Sequence, residues 1–522
     1  MRTEAGLVSG AMSADGLKTY FGLPFAAPPI RENRWRAPQP VAPWKGKLTA
    51  NRKPAECVQG LRSPSINHYF GDEYAGEDCL YLNVWEPARA KPGTKLPVVV
   101  WIYGGGFTGG SASMDIYSGK ELAKKDVLYV ALNYRVGVMG FLALPEATQE
   151  SGHHASGNWG FLDQVAGLQW VRKNIAAFGG DPENVTLVGQ SAGSMSICYL
   201  QASPLTKGLF QRVVGMSGSC VGNAGSTGGD LAAGEVEGRK LMDAVKAGSL
   251  AELRAVSSDK IVAAAQAAGV RTGPIVDGYF LPEPTKKIFA EGRQNDVAVL
   301  TGSTANDIGT TGPIRSAKTL TALKAAAQQA YGAKADELLT LFPAKDDAEA
   351  AHAAETIGIN SGITADSRAW AQAQTTKGKQ PVYLYLLTRV QPFTPGVKFS
   401  DFNQATAGAY HMGDVPYWLG TYEAFNLFRR TRDWTAWDRE LSEDMQKVIV
   451  SFAKTGNPST AAVHFTAYGP AAETRVVFGD TISTETMNAA GMNFIQSTPS
   501  MMTQGPRAPR PAVPVKPSSP TY

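Results

Sequence analysis

Three pieces in fixed order at residues 184–203 constrain this chain more than any other feature. NVTLV (184–188) has the β-branched content of a buried strand, Gly189-Gln190-Ser191-Ala192-Gly193 makes a sharp turn, and SMSICYLQAS (194–203) reads as a helix. The same alternation runs through much of the chain. LPVVVWIY (96–103), VLYVALNY (127–134), RVVGM (212–216), VAVLTG (297–302) and VYLYLLTR (382–389) read as further strands. Val165, Leu168, Val171, Ile175 and Phe178 recur at three- and four-residue intervals, one apolar stripe on a helix. Residues 441–455 form an amphipathic helix ended at Gly456 and Pro458. Strands alternating with helices predict an α/β class, a central, mostly parallel sheet flanked by helices. Residues 230–265 and 317–375 are Ala/Lys/Glu-rich and read as helical cap or side insertions. The expected organisation is one domain over 1–497 with a Pro/Ser-rich flexible tail over 498–522.

Gly189–Gly193 is the only G-x-S-x-G in the sequence. Its place between a strand and a helix is that of a nucleophile elbow, where small flanking residues leave a serine hydroxyl exposed at the sheet edge. Ala192 then begins the helix, so its N–H is unpaired there. The bland reading is a Gly-Ser turn capping a helix. A serine hydroxyl is a poor nucleophile and needs a base held by an acid. Six histidines are available: His68, His153, His154, His352, His411 and His464. His153 and His154 lie in a Gly/Ser-rich loop, His68 between two cysteines, His352 in a helical insertion, and His464 at the expected start of a late strand. His411, in AGAYHMGDVPYWLG, follows Ser191 in a glycine-bounded loop. The order Ser, acid, His used by α/β-hydrolases favours it and places the acid between 191 and 411. Asp307, in LTGSTANDIG just after a strand, is one candidate; Asp277, in PIVDGYF, is the rival.

A glycine run follows the strand at 96–103. Gly104-Gly105-Gly106-Phe107-Thr108-Gly109 satisfies the G-x-G-x-x-G of dinucleotide-binding loops. That reading needs a helix starting at the loop and an acid ending a second strand about 20 residues on. SASMDIYSG after Gly110 reads as irregular chain, and Glu121 and Asp126 do not end a strand. The loop is therefore expected to offer its N–H groups to some other negative charge, and no cofactor is implied.

At 522 residues and net charge +4 the chain gives no reason to expect nucleic acid or an anionic membrane as partner. No apolar run is long enough to span a bilayer. The start, MRTEAGLVSG, lacks a signal-peptide layout, which fits a cytosolic protein or a mature form from which a signal was removed. Four cysteines show no metal-binding spacing, so no metal is expected. A Cys57–Cys79 bridge and two reduced thiols are both compatible with the spacing. Oligomeric state and the redox state of Cys198 and Cys220 are not readable.

With these residues in place, the chain resembles the type-B carboxylesterase family, which includes cholinesterases and p-nitrobenzyl esterase-like enzymes. EDCLYLNVWEP (77–87) and FGGDPENVTLVGQSAG (178–193) look like two family signatures. FGLPFAAPP, GPIVDGYFLP and SFAKTGNP look like further landmarks in the right order. The resemblance implies an α/β-hydrolase fold and hydrolysis of small-molecule carboxylic esters. It implies Ser191 as nucleophile, His411 as base and Asp307 as acid, where the family usually has Glu. It also implies oxyanion-hole N–H groups from Gly105, Gly106 and Ala192, a supporting hydroxyl at Ser217, and a Cys57–Cys79 disulfide, which favours a secreted or periplasmic location. Gln190 stands where the family usually has Glu, and the 57–79 loop holds no tryptophan. Both departures argue against choline esters and for neutral, fairly hydrophobic ones. CVGNAGSTGGD (220–230) has no bulky aromatic, which predicts an unconstricted acyl pocket. The alternative is a non-catalytic, cholinesterase-like adhesion module; those typically lack a triad residue, and here all three positions are filled.

Overall fold

The computed structural model describes all residues except 15, 61–73, 223–228, 311, 400–401, 470, 472, 499 and 502–522. An eleven-stranded sheet forms its centre. Leu96–Ile102 lies between Leu128–Leu132 and Gly180–Gln190, parallel to both. Beyond Gly180–Gln190 the parallel order continues through Arg212–Met216, Ala298–Thr304, Val382–Leu387 and Thr474–Phe478. Antiparallel strands close both margins: Tyr81–Glu86, Lys18–Pro24 and Ala11–Met12 on one side, Ile482–Thr486 on the other. Leu96–Ile102 is buried at every position, as its unbroken apolar run requires of a strand covered on both faces.

The helix Trp159–Asn174 carries the expected stripe, which continues through a tighter turn at Ile175–Phe178; Val165, Leu168, Val171, Ile175 and Phe178 are all buried. The two helical regions expected outside the sheet are present. Leu231–Val245, Leu250–Ala255 and Ser258–Ala267 share a small core with Trp35 and Trp159. Leu320–Tyr331, Ala335–Leu341, Asp347–Ile359 and Gly362–Lys377 lie in the other, where a second cluster also takes in Phe494 and Ile495 of the helix Ala489–Ser497. Most of the expected tail lies outside the described residues.

Strand ends shift by a few residues, as at Gly180–Gln190 for the run read at 184–188, and two further differences lie late in the chain. The late amphipathic helix starts at Ala436, not 441, because Thr435 and Asp438 cap it reciprocally, Asp438 N–H to Thr435 Oγ1 at 3.2 Å and Thr435 N–H to Asp438 Oδ2 at 2.9 Å. The late strand expected at His464 is absent there; the next strand runs over Thr474–Phe478. Among the described residues no helix is long and apolar enough to cross a membrane.

Two disulfides are formed, Cys57–Cys79 and Cys198–Cys220. The second ties the helix after Ser191 to the segment after Ser217. Its sequence separation of 22 leads us to expect the Cys198→Ala/Cys220→Ala variant to lose roughly 3 kcal/mol of stability. Denaturant unfolding checks this; an unchanged midpoint would show that the bridge contributes nothing.

Candidate active site

The strands Leu96–Ile102, Gly180–Gln190, Arg212–Met216 and Ala298–Thr304 end on one edge of the sheet, Gly189 pairing with Ile102 and Gly215, and Met216 with Gly302. Successive strands after Ile102 lie on opposite sides of it, Leu128–Leu132 to one and Gly180–Gln190 to the other. Such a reversal opens a crevice at the carboxyl ends of the strands. The glycine run, Ser191, Ser217 and Asp307 all follow strand ends at this edge.

Ser191 has φ 57° and ψ −126°, a conformation that costs a non-glycine residue about 1–3 kcal/mol. Its N–H donates to Met216 O at 2.8 Å, and its carbonyl accepts from Met195 N–H at 2.9 Å. The turn tolerates nothing larger at Gly193, where a Cβ would lie 2.0 Å from Ile102 O. Relief of the strain predicts that Ser191→Gly gains about 1 kcal/mol of stability, after the entropy glycine returns to the unfolded chain. Urea unfolding reads this directly, and a loss of stability would refute it.

His411 joins the two ends of the site. Its Nε2 lies 2.8 Å from Ser191 Oγ and its Nδ1 2.5 Å from Asp307 Oδ1. The loops bearing acid and imidazole are stitched together one or two residues upstream, Asn306 N–H donating to Ala409 O at 2.8 Å and Ala409 N–H to Asn306 Oδ1 at 3.1 Å. The Asp307 side chain is fully buried. It accepts from Ile308 N–H at 2.8 Å and from both the N–H and hydroxyl of Thr304 at 3.1 Å. Burial alone would raise its pKa, but His411, the Ser217 hydroxyl and Thr304 outweigh that and hold it below the ordinary value. Ser217 Oγ acts there by proximity rather than through a well-formed hydrogen bond, since it is buried and has no partner in good geometry among the described residues. His411 shows the mirror-image balance. Burial disfavours its charged form, yet Asp307, helped by Asp414, raises its pKa above the ordinary 6.5.

Asp277, the rival acid, is elsewhere. Its Oδ1 accepts from Tyr279 N–H at 3.2 Å and Leu281 N–H at 2.9 Å, folding its own turn. It lines a separate cavity of about 230 Å³ with Trp35, Asn158 and Trp159, to which no residue of the Ser191 site contributes. His153 stacks on Tyr279 with 3.9 Å between ring centroids, and His352 lies on the helix Asp347–Ile359. His68 lies outside the described residues.

The glycine run lies against Ser191: a Cβ on Gly104 would be 2.9 Å from Ser191 Cβ. Gly105 takes φ 118°, and a side chain there would meet Gly109 O at 2.2 Å. No acceptor among the described residues takes the N–H of Gly105, Gly106 or Ala192. Gln59, which the sequence reading missed, fastens the run with two hydrogen bonds, accepting from Gly110 N–H at 2.9 Å and donating to Gly110 O at 3.0 Å. Phe107 anchors it from below against Phe141 and Phe161.

Gln190 places its amide 3.2 Å from His411 Nε2, the same nitrogen that faces Ser191. A neutral amide leaves the imidazole charge to Asp307 and Asp414. A carboxylate there would favour imidazolium, so Gln190→Glu is expected to move the His411 pKa up by roughly one to two units. NMR titration of the imidazole measures it, and an unmoved pKa would contradict the contact. Asp414 is the second residue the sequence reading missed. It is buried three positions after His411, accepts from Tyr385 Oη at 2.7 Å, and has its pKa raised by burial and by Asp307 to about 6. The only sequence signal is an acid in a run that is otherwise apolar and glycine.

Known proteins resemble this chain over most of its length. Residues 1–495 match the carboxylesterase family model. The fumonisin B1 esterase of Sphingopyxis macrogoltabida is 34% identical over 467 residues, 87% of this chain and 82% of that protein. The para-nitrobenzyl esterase of Bacillus subtilis (strain 168) is 32% identical over 481 residues, 89% of this chain and 92% of that one. A solved structure of a PNB esterase superposes with a TM-score of 0.76 at 30% identity, covering 95% of this chain and 98% of its own. The fold is that of the α/β-hydrolases, and the chain belongs to the carboxylesterase family.

Proposed function

We propose that the protein hydrolyses carboxylic esters in two steps through an acyl-enzyme on Ser191. The observation that carries this reading is the continuous relay from Ser191 Oγ through His411 to Asp307, at 2.8 and 2.5 Å. His411 Nε2 takes the Ser191 proton as Oγ attacks the ester carbonyl. Asp307 keeps the Nδ1–H tautomer in place and stabilises the imidazolium that forms. The tetrahedral oxyanion is received by the N–H groups of Gly105, Gly106 and Ala192, a contribution of about 3 kcal/mol per donor. Imidazolium then protonates the leaving alcohol, and water, deprotonated by the same nitrogen, frees the acid. Imidazolium cannot act as base, so a raised His411 pKa moves the rising limb of activity to higher pH. The free enzyme's kcat/KM should therefore rise with a midpoint above the ordinary imidazole value of 6.5. A midpoint below that value would contradict the Asp307 contact.

The preferred substrates are neutral, fairly hydrophobic esters, with Gln190 adding no negative charge beside the nucleophile. Residues 220–222, 229 and 230 of the proposed open acyl pocket are described; the six between them are not. Two disulfides fit secretion or a periplasmic location. A panel of esters varied separately in acyl and alcohol parts tests the substrate reading. Butyrate and longer acyl esters should be turned over at least as well as acetate, with choline esters poor; the reverse order would overturn it.

A further inference from the structure

Exposed apolar side chains are concentrated on one part of this molecule. Five of the eleven large ones among the described residues, Ile308, Val390, Phe402, Leu427 and Phe428, sit on loops rooted beside His411. Ile308 directly follows Asp307. Val390 precedes Gln391, whose Oε1 accepts from Tyr410 Oη at 2.9 Å, and the Phe402 ring is 6.0 Å from that of Tyr410. Leu427 and Phe428 are 56% and 67% exposed. The residues after them are tied back to the same loops. Arg429 donates to Lys398 O at 3.1 Å and lies 5.7 Å from the Phe399 ring centre, and Arg432 donates to Tyr410 Oη at 3.1 Å. Single exposed apolar residues need no explanation, but a group carried on loops joined to one another does.

The charge beside this group is positive. Lys398 and Arg429 are exposed, and among the described residues neither has an acidic partner. Among the described residues, the acids Asp433 and Glu423 are already engaged, with Arg430 at 2.7 Å and Arg439 at 2.8 Å. A net charge of +4 over the chain hides this local surplus. A protruding Leu-Phe pair beside unpaired basic side chains combines apolar insertion with attraction to anionic headgroups.

We propose that the Leu427–Phe428 turn, with Lys398 and Arg429, docks the protein on an anionic lipid surface. His411, next in the chain to the Tyr410 on which these loops are rooted, stays a quarter exposed. Docking therefore brings the opening toward Ser191 close to amphiphilic esters held in that surface; this consequence rests on the proposed role of Ser191.

Sedimentation of the full chain with phosphatidylglycerol or phosphatidylcholine vesicles tests the proposal. Binding to the anionic vesicles is expected, weakened by added salt, with little binding to phosphatidylcholine. Leu427→Ser/Phe428→Ser and Lys398→Glu/Arg429→Glu should each lower the anionic partition coefficient by about tenfold or more. Unchanged turnover of a short soluble ester shows that the variants are folded. A wild-type protein that stays in the supernatant overturns the proposal, as do variants that sediment like wild type. Self-association lost in Leu427→Ser/Phe428→Ser, without vesicle binding, assigns the face to a second copy and also overturns it. A protein that sediments as expected but hydrolyses no ester contradicts the acyl-enzyme reading alone.

Discussion

Ser191→Ala is expected to lower kcat by about 10⁵-fold, with KM little changed and the fold intact. The size follows from geometry. Among the described residues the only hydroxyl at hydrogen-bonding distance from His411 Nε2 is Ser191 Oγ, at 2.8 Å, so no other described hydroxyl is placed to take over the attack. The N–H groups of Gly105, Gly106 and Ala192 survive the substitution and leave residual stabilisation of an oxyanion formed by water. Alanine carries the same Cβ as serine, so the backbone at φ 57° is equally strained and the melting temperature should stay near wild type. Steady-state kinetics on a soluble aryl ester decide it. Turnover within tenfold of wild type would remove Ser191 from the mechanism.

Asp307→Asn should cost about 10⁴-fold in kcat. The amide oxygen can still accept from Ile308 N–H or Thr304, so the loop should fold. What changes is the tautomer. A carboxylate 2.5 Å from Nδ1 requires N–H there and leaves Nε2 free to accept from Ser191. An amide can present its own N–H to Nδ1 and turn the Nε2 proton toward the nucleophile. The loss of charge should also move the rising limb of the pH profile downward, since Asp307 chiefly offsets the burial that disfavours imidazolium. A fall in rate without that shift would point to misplacement of His411 and not to lost charge. Asp277→Asn should leave the profile unmoved, because that carboxylate lines a separate cavity.

Most of the parallel core was legible because its strands are short apolar runs with breakers on both sides, though Thr474–Phe478 was not among those read. The Gly189–Gly193 turn was legible because its glycines are forced by contact. Gly193 has no room for a methyl group against Ile102 O, so that position records the packing in its residue type. Relations between distant loops leave no such record. The expectation for Asp307 over Asp277 came from resemblance; in space, the distinction lies in the Asn306–Ala409 hydrogen bonds, which span a hundred residues. Gln59 and Asp414 act through contacts with residues distant in sequence that only the fold makes, and a lone Gln or Asp carries no pattern that announces them. Cys198 and Cys220 were silent for the same reason, since a spacing says nothing of whether a helix will face a strand end. The start of the helix at Ala436 was readable in principle from Thr435 and Asp438, but two tryptophans nearby mask the polar capping pattern.

Reaction with diethyl p-nitrophenyl phosphate, followed by intact and peptide mass measurement, tests the central claim most directly. The phosphorus centre accepts an activated hydroxyl, loses p-nitrophenolate, and leaves a diethyl phosphoryl group that is slow to hydrolyse. One adduct per chain is expected, on the peptide containing Ser191, in step with loss of esterase activity and absent from Ser191→Ala. An adduct on another residue, or full inactivation of a chain unmodified at Ser191, would contradict the assignment.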